Sequence, residues 1–461
     1  MQLHDTLTNA LQDVQPINKV VTIYSCGPTV YDYPHIGNWY SFVRWDILNR
    51  ALLQNGFKTN WVMNITDVGH LVSDEDDGQD KLEKGAKREG KTAWDVAEYY
   101  TDYFTKGLER LNFSKITMLP KATDNIPEQI ELVKILESKG HTYVIDDGVY
   151  FDTSTIEDYG KLAQLDLKKL RAGARVELNP QKKNLTDFAL WKFSPRDEKR
   201  DMEWPSPWGT GFPGWHIECS AMSMKFLGET ISIHAGGIDH IPVHHTNEIA
   251  QSESATNKPF AKIWVHSNFI LVDGKKMSKS IGNFYTLEDI EEKGYTLDAF
   301  RLLVLSSKYH TEAQFSWEVL GSFQIVLNKL NAWSDLQFQG LESSELVTSY
   351  KDSISSIKKE IANNLNTPRV LGLINGMLNK TTELGIDSNA IKDAAIQIDA
   401  LLGLTLSLRK DINKAQKVKL ANRKKARALN NWAESDAIRD DLLKEHIEIK
   451  DVLGNQIWNR N

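Results

Sequence analysis

Thirteen residues, Cys26 to Asn38, constrain this chain more than any other stretch. They read Cys-Gly-Pro-Thr-Val-Tyr-Asp-Tyr-Pro-His-Ile-Gly-Asn. The residues just before them, 19–24, are β-branched and aromatic, the pattern of a buried strand. Just after them Phe42, Val43, Ile47, Leu48 and Leu52 recur at helical spacing. The stretch is therefore a strand-to-helix turn. In a parallel α/β sheet such turns lie at the carboxyl edge of the strands, where ligands bind. The N-terminus of the helix also offers unpaired N–H groups that suit phosphate. To these the turn adds a thiol, Cys26, and an imidazole, His35.

At 461 residues the chain exceeds a single core, and two to four domains are expected. No run of about eighteen apolar residues occurs, so no membrane span is expected. The first residues, Met-Gln-Leu-His-Asp-Thr, show neither a basic nor an apolar leader pattern. No signal peptide and a cytoplasmic location are the expectation. Cys26 and Cys219 are the two cysteines, open to three readings: inert buried thiols, a disulfide or metal ligands. A cytoplasmic setting argues against the disulfide.

Periodicity orders the rest. Residues 59–65 read as a second strand and 92–111 as an amphipathic helix. A helix over 124–139 begins near Pro127, and Asp146-Asp147-Gly148 joins two strands as a hairpin. Residues 155–213 are rich in loops, charges, prolines and tryptophans, and 114–213 reads as an insertion in the α/β domain. Beyond it come a helix after Trp215, a strand over 231–234, a helix over 244–254 and strands over 263–266 and 269–272. From about residue 311 helical periodicity dominates, with helices over 323–333, 346–365 and 368–385. The last fifty residues read as a basic helix and a short acidic-to-apolar end.

Two motifs carry the chemistry. His35-Ile36-Gly37-Asn38 opens a helix where Gly37 lets a nucleotide lie on the backbone and His35 can donate to phosphate. Lys276-Met277-Ser278-Lys279-Ser280 is a cationic loop able to neutralise a pyrophosphate leaving group. Either alone has a bland counterpart, a surface histidine or a solvated lysine loop; together they make chance remote. The pair resembles the signature elements of class I aminoacyl-tRNA synthetases, which bind ATP in a split Rossmann-like domain. Further stretches are similar specifically to the cysteinyl-tRNA synthetases. They are Tyr24 to Asp32, Asn64-Ile65-Thr66-Asp67, Ala172 to Val176, Asp187 to Lys192, Trp204 to Gly209 and Pro213 to Met222.

The resemblance implies an α/β catalytic domain from 1–113 and 214–310, split by a connective insertion at 114–213. A helical bundle at 311–408 and a small anticodon-binding domain at 409–461 would follow. His244 and Glu248 are four residues apart, so one face of a helix would carry both. With Cys26 and Cys219 they form a plausible zinc set, and the resemblance maps all four onto zinc ligands. His245, about 100° further round a helix, is expected to support them. Zinc would bind the thiolate of substrate cysteine and bind a serine hydroxyl poorly, a distinction that pocket shape alone cannot make. Gly27, Thr66 and Trp215 match positions around that substrate.

His234-Ala235-Gly236-Gly237-Ile238-Asp239 suits the approach of adenosine, with Gly236 and Asp239 on the nucleotide. The family runs His-Gly-Gly-Gly-x-Asp-Leu and then Phe-Pro-His-His-Glu-Asn-Glu. This chain departs from that pattern at Ala235, His240, Pro242-Val243 and Thr246, and has Asn38 where the family usually has histidine. His35, Asn38, Lys276 and Lys279 are the expected catalytic residues. At the C-terminus Arg409, Lys410, Lys414, Lys417, Lys419, Arg423, Lys424, Lys425 and Arg427 form a basic run. In a chain of net charge −7 that concentration suits a phosphate backbone. Arg427, Asp436 and Asp451 match positions that read anticodon bases.

The expected activity is therefore cysteine–tRNA ligation by a monomer, with one Zn²⁺ per chain, ATP with Mg²⁺, L-cysteine and tRNA(Cys). Two other readings compete. A related ligase joins cysteine to an amino sugar; it needs no anticodon domain, and the last fifty residues speak against it. The other is a zinc-stabilised RNA-binding protein without catalysis, which the intact Lys-Met-Ser-Lys-Ser opposes.

Overall fold

The structure is a computed structural model describing residues 1–69, 82–83, 85–86, 90–165, 179–195, 199–278, 282–340, 344–384, 386–452 and 455–460. The chain separates into two compact units, residues 1–287 with 309–314, and residues 288–308 with 315–461.

The first unit opens with a hairpin that periodicity did not announce, β1 (Gln2–Asp5) and β2 (Ala10–Asp13), each strand only four residues long. Its central sheet begins at β3 (Val21–Ser25), buried along its whole length as a two-sided parallel strand must be. Helix α1 (Ile36–Gln54) leads to β4 (Thr59–Met63), two residues shorter than the sequence pattern suggests. Helix α2 (Ala93–Arg110) starts where Thr92 and Asp95 close a capping box. Helix α3 (Ile126–Ser138) carries Pro127 in its first turn, where no amide hydrogen bond is lost.

Residues 142–213 contribute a four-stranded antiparallel sheet, β5 (Thr142–Ile145), β6 (Gly148–Phe151), β7 (Phe188–Phe193) and β8 (Gly211–Pro213) in that order. Its Phe151, Phe188 and Trp191 share one hydrophobic cluster with Tyr24 and Val62 of the central sheet. After α4 (Trp215–Leu227) and β9 (Ile231–Gly237), a wide π-helical turn over Ile241–His245 leads into α5 (Thr246–Thr256) and then β10 (Ala261–Ser267).

The central strand order is β10-β9-β3-β4, parallel throughout. From β3 the chain winds through α1 to β4 on one side; from β9 it winds through α5 to β10 on the other. The direction of winding reverses between β3 and β9, which opens a crevice at their carboxyl ends. Cys26 stands there, its amide donating to the Ala235 carbonyl at 3.1 Å.

The second unit is helical: α6 (Leu297–Leu305), α7 (Trp317–Asp335), α8 (Ser344–Ala362), α9 (Thr367–Leu384) and α10 (Ser388–Leu402). Helix α10 lay unmarked in the sequence reading, although Asp387 caps it by accepting from the Ala390 amide at 2.8 Å. Helices α11 (Lys414–Ala428) and α12 (Trp432–Lys444) are followed by a hairpin, β11 (Ile447–Val452) and β12 (Asn455–Arg460). Where the sequence suggested one basic helix and a short acidic-to-apolar end, the structure has two helices and this hairpin. Ile447, Ile449 and Trp458 point from it into a cluster with Ile412 and Leu442.

Candidate active site

The turn after β3 is held by its own side chains. His35 is the N-cap of α1: its Nδ1 accepts from the Asn38 amide at 3.2 Å, and the Asn38 Oδ1 accepts from the His35 amide at 3.0 Å. Burial lowers the His35 pKa to about 4, so the ring is neutral at pH 7. With Nδ1 accepting, the proton of the neutral ring belongs to Nε2. Asn64 ties the end of β3 to the end of β4. Its Oδ1 accepts from the Gly27 amide at 2.9 Å, and its Nδ2 donates to Thr66 Oγ1 at 2.9 Å. A Cβ at Gly27 would fall 1.8 Å from the Asn64 carbonyl oxygen, so this strand end admits only glycine.

Beneath the turn Cys26, Cys219, His244 and Glu248 present four ligand atoms within 4.8 Å of one another, all on buried residues. The two cysteines are free thiols. Helix α5 starts at Thr246, so His244 lies in the π-helical turn before it; the expected shared α-helical face is replaced by this wider turn. His244 Nε2 still reaches within 2.8 Å of Glu248 Oε1. No well-directed hydrogen bond is made to that oxygen, however. His244 Nδ1 meets His216 Nδ1 at 2.9 Å, which leaves Nε2 facing the cluster.

A second grouping within 4.8 Å contains Cys26, His234, His245 and Glu248. There His234 Nε2 is bonded to Glu248 Oε2 at 2.6 Å, and His245 Nε2 lies 3.2 Å from the Cys26 sulfur. Both ring nitrogens of His245 are engaged, the other with His266 Nε2 at 2.8 Å. The first grouping suits zinc better, with two sulfurs, one imidazole and one carboxylate.

Electrostatics agree with that choice. Burial raises the Cys26 thiol pKa, whereas a hydrogen bond from Cys26 brings Cys219 down to about 7. Burial alone would lift Glu248, yet His234 and His244 outweigh it and keep the carboxyl ionised. Burial opposes charge on His244 as well, but Glu248 and Cys219 raise it to about 10. The charge of ionised Glu248 and of a readily ionised Cys219 is partly balanced by imidazolium at His244, the place a cation would take.

His245 does more than stand beside His244. A chain of hydrogen bonds runs from Cys26 through His245 and His266 to Thr6 Oγ1, which lies 2.7 Å from His266 Nδ1. The Thr6 amide in turn donates to the Trp264 carbonyl at 2.9 Å.

Two cavities meet at this place. One of about 500 Å³ is lined by Gly27, Thr66, Trp215, Cys219 and His244. The other, of about 230 Å³, is lined by Gly37, Gly237, Asp239 and Lys276. Cys26, Gly27, His35, Asn38, Phe42, His240 and Met277 border both. Gly236 borders neither; a Cβ there would meet His245 Cε1 at 2.4 Å, so its small size serves the histidines.

Lys276 extends over the Phe269 ring at 3.9 Å. Its loop is fixed by Asn283, which accepts from the Ser278 amide at 2.8 Å and donates to the Lys276 carbonyl at 3.2 Å. A Cβ at Gly37 would fall 2.6 Å from Met277 Cε, so the two motifs found in sequence are neighbours in space; the Ile36 amide also donates to the Tyr285 carbonyl at 2.8 Å. Lys279 lies outside the described residues.

Sequence reasoning missed Asn64 as a bridge, His216 and His266 as partners of the cluster histidines, and Asn283 as the anchor of the lysine loop. Asn64 and His216 sit inside stretches already singled out. Asn283 closes the Ile281-Gly282-Asn283 stretch that directly follows the lysine motif, whereas His266 carries no local signal.

At the C-terminus, Asp451 takes the buried Arg423 through two hydrogen bonds at 3.0 and 2.9 Å, and Arg427 Nη1 lies 3.2 Å from Asp451 Oδ2. Asp436 pairs with Arg439 at 3.2 Å. The basic run is partly balanced, Lys417 by Asp411 and Lys419 by Asp441 and Glu445. Lys410, Lys414, Lys424 and Lys425 remain exposed on it.

Comparison with known proteins converges on one group. A family model described as the catalytic domain of class I (C) tRNA synthetases matches residues 13–324. Cysteine–tRNA ligase 1 of Burkholderia lata is 42% identical over 99% of this chain and 96% of its own. The cysteine–tRNA ligase of Treponema denticola is 40% identical over 100% and 99%. Among solved structures, Mycobacterium tuberculosis methionyl-tRNA synthetase with methionyl-adenylate superposes with a TM-score of 0.63. It covers 85% of this chain and 93% of its own, and at 14% identity the likeness is one of fold. Among the described residues no helix is long and apolar enough to cross a membrane.

Proposed function

The chain belongs to the class I tRNA synthetase family, and from that membership we propose that it is a cysteine–tRNA ligase. A carboxylate oxygen of L-cysteine attacks the α-phosphorus of ATP, the bond to the β-phosphate bridge breaks, and diphosphate leaves. The cysteinyl group of the adenylate then passes to the terminal ribose of tRNA(Cys), releasing AMP. No side-chain nucleophile is required; positioning and charge neutralisation do the work.

The observation that carries this reading is the buried two-cysteine, histidine and glutamate cluster opening on the same crevice as the His35 turn. Cys26, Cys219, His244 and Glu248 would hold Zn²⁺, which when bound supplies a soft-tolerant Lewis acid for a substrate thiolate. Thr66 and Trp215 then flank the amino-acid side of the cavity, with Gly27 letting the substrate approach the backbone. His35 offers a neutral Nε2–H to phosphate oxygens, and Gly37 and Asp239 border the nucleotide side. Lys276 and Lys279 neutralise the diphosphate, in company with Mg²⁺ on ATP.

The division into a split catalytic domain (1–113, 214–310), an insertion (114–213), a helical bundle (311–408) and an anticodon-binding end (409–461) belongs to the same reading. So do Arg427, Asp436 and Asp451 as anticodon-facing residues, and a cytoplasmic monomer. Metal analysis of the purified protein, combined with ATP–diphosphate exchange on cysteine and on serine, tests it. One zinc per chain, exchange with cysteine and none with serine, and charging of tRNA(Cys) are expected. Equal exchange with serine, or no charging, overturns it.

A further inference from the structure

Four tyrosines gather at the rim of the larger cavity. Of the four, Tyr33 borders the cavity itself. Around Tyr33 stand three rings of α2 at near-perpendicular angles: Tyr103 at 4.8 Å, Tyr100 at 5.0 Å and Tyr99 at 6.3 Å between centroids. The Tyr33 and Tyr99 hydroxyls are 2.9 Å apart. Edge-to-face packing of this kind fixes ring orientation. Tyr100 is buried and anchors the group, while Tyr99 remains 47% exposed. Lys91, in the loop before α2, places its ammonium 5.2 Å from the centre of the Tyr99 ring.

Packing of α2 against the turn accounts for Tyr100 and in part for Tyr103. It does not account for a half-exposed aromatic ring oriented by a hydroxyl pair to a residue that lines the active-site cavity. A rigid aromatic edge beside a cation, continuous with a substrate cavity, has the chemistry of a single-stranded nucleic-acid platform. Unpaired bases stack on aromatic rings whatever their identity, and the neighbouring cation meets a backbone phosphate. The ligation reaction supplies the strand: a terminal ribose must enter the cavity, and the nucleotides behind it must cross the rim.

We propose that Tyr33, Tyr99 and Tyr103, with Lys91, form a stacking shelf for the unpaired 3′ end of the tRNA, just outside the cavity that receives its terminal ribose. The proposal rests on the cysteine–tRNA ligase reading. It adds a named surface and a step, delivery of the 3′ end, that is separate from amino-acid activation.

Tyr99→Ala and Tyr99→Trp test it, since Tyr99 lies on the exposed side of the cluster. Three quantities are measured for wild type and both variants: cysteine-dependent ATP–diphosphate exchange, tRNA charging, and binding of tRNA(Cys) with and without its last three nucleotides. For Tyr99→Ala, exchange should stay within about twofold while kcat/KM for charging falls about 5- to 150-fold, the range expected for one lost stacked base. Tyr99→Trp, which keeps a stacking face, should recover most of that loss. Truncated tRNA should bind wild type and Tyr99→Ala equally.

Undiminished charging by Tyr99→Ala overturns the shelf. So does a binding defect that persists with truncated tRNA, which would assign the surface to another part of the RNA, or exchange lost in parallel with charging, which would mark a folding effect. Capture of another protein by this face with charging unchanged overturns it too. Failure of the wild-type chain to charge tRNA at all is a different result, and overturns the ligase reading instead.

Discussion

Asn38 and His35 hold each other: the amide of one meets the ring nitrogen of the other at 3.2 Å, and the carboxamide returns the bond at 3.0 Å. Because the pair occupies Nδ1, it fixes His35 as a neutral donor through Nε2. Its imidazole should titrate near pH 4 by NMR, and activation should show no limb from this residue between pH 6 and 8. The effect on stability follows in sign. Above about pH 6.5 the ring is neutral in both folded and unfolded chains. As pH falls from there towards 4, only the unfolded chain takes up the proton, so His35 withdraws stability through that window. A ring that titrates near 6.5 in the folded protein would refute this assignment.

Asn38→Ala should remove the returned bond and weaken the start of α1 by about 1 kcal/mol. Chemical denaturation measures that loss. Diphosphate exchange should fall by more than the loss of stability explains, because His35 is freed to turn. A variant with unchanged exchange would show that the pair serves only the helix.

His216 is not one of the four proposed ligands, yet its Nδ1 meets His244 Nδ1 at 2.9 Å. His216→Phe should therefore reduce metal affinity by about 10- to 100-fold, with the four proposed ligands intact. Competition with a chelator gives the measurement; unaltered retention would separate His216 from the metal centre.

Gly27→Ala places a methyl group 1.8 Å from the Asn64 carbonyl. Backbone must move, at a cost of about 1–3 kcal/mol. The Asn64 bridge to Thr66 should be lost with it. The unfolding midpoint and the KM for cysteine should both worsen.

Arg423 is almost wholly buried and depends on Asp451 and Gln456 for its hydrogen bonds. Asp451→Asn removes the negative partner and should lower stability by about 1–3 kcal/mol, seen as a fall in Tm. Cysteine-dependent diphosphate exchange should be spared. An unchanged Tm would mean that Asp451 is free to serve another partner.

The sequence was most legible where chemistry is local. Both motifs, the strand before Cys26 and the helices on either side of residues 142–213 could be read because periodicity and capping act over a few residues. The convergence of Cys26 and Cys219 with the pair near residue 246 could not be derived from spacing, because nearly two hundred residues lie between the cysteines. Resemblance bridged that gap. Short strands escaped detection: four residues in β1 and β2 give too few alternations to stand out. The turn around His244 escaped for another reason. Residues 241–245 look helical to a 3.6-residue period, and only the fold reveals that the turn is wider. Gly236 shows a further limit, since a glycine-rich strand end suggests a nucleotide whether the bare backbone faces ATP or, as here, a pair of imidazoles.

The hydrogen-bonded path from Cys26 through His245 and His266 to Thr6 links residues up to 260 positions apart. Inheritance would feel that connection. A substitution at any one of these four places disturbs the partners of the next, so drift at position 6, in the turn of the N-terminal hairpin, cannot be neutral. Across lineages the four should change together or stay fixed, and a compensating pair at 6 and 266 would be the trace such coupling leaves.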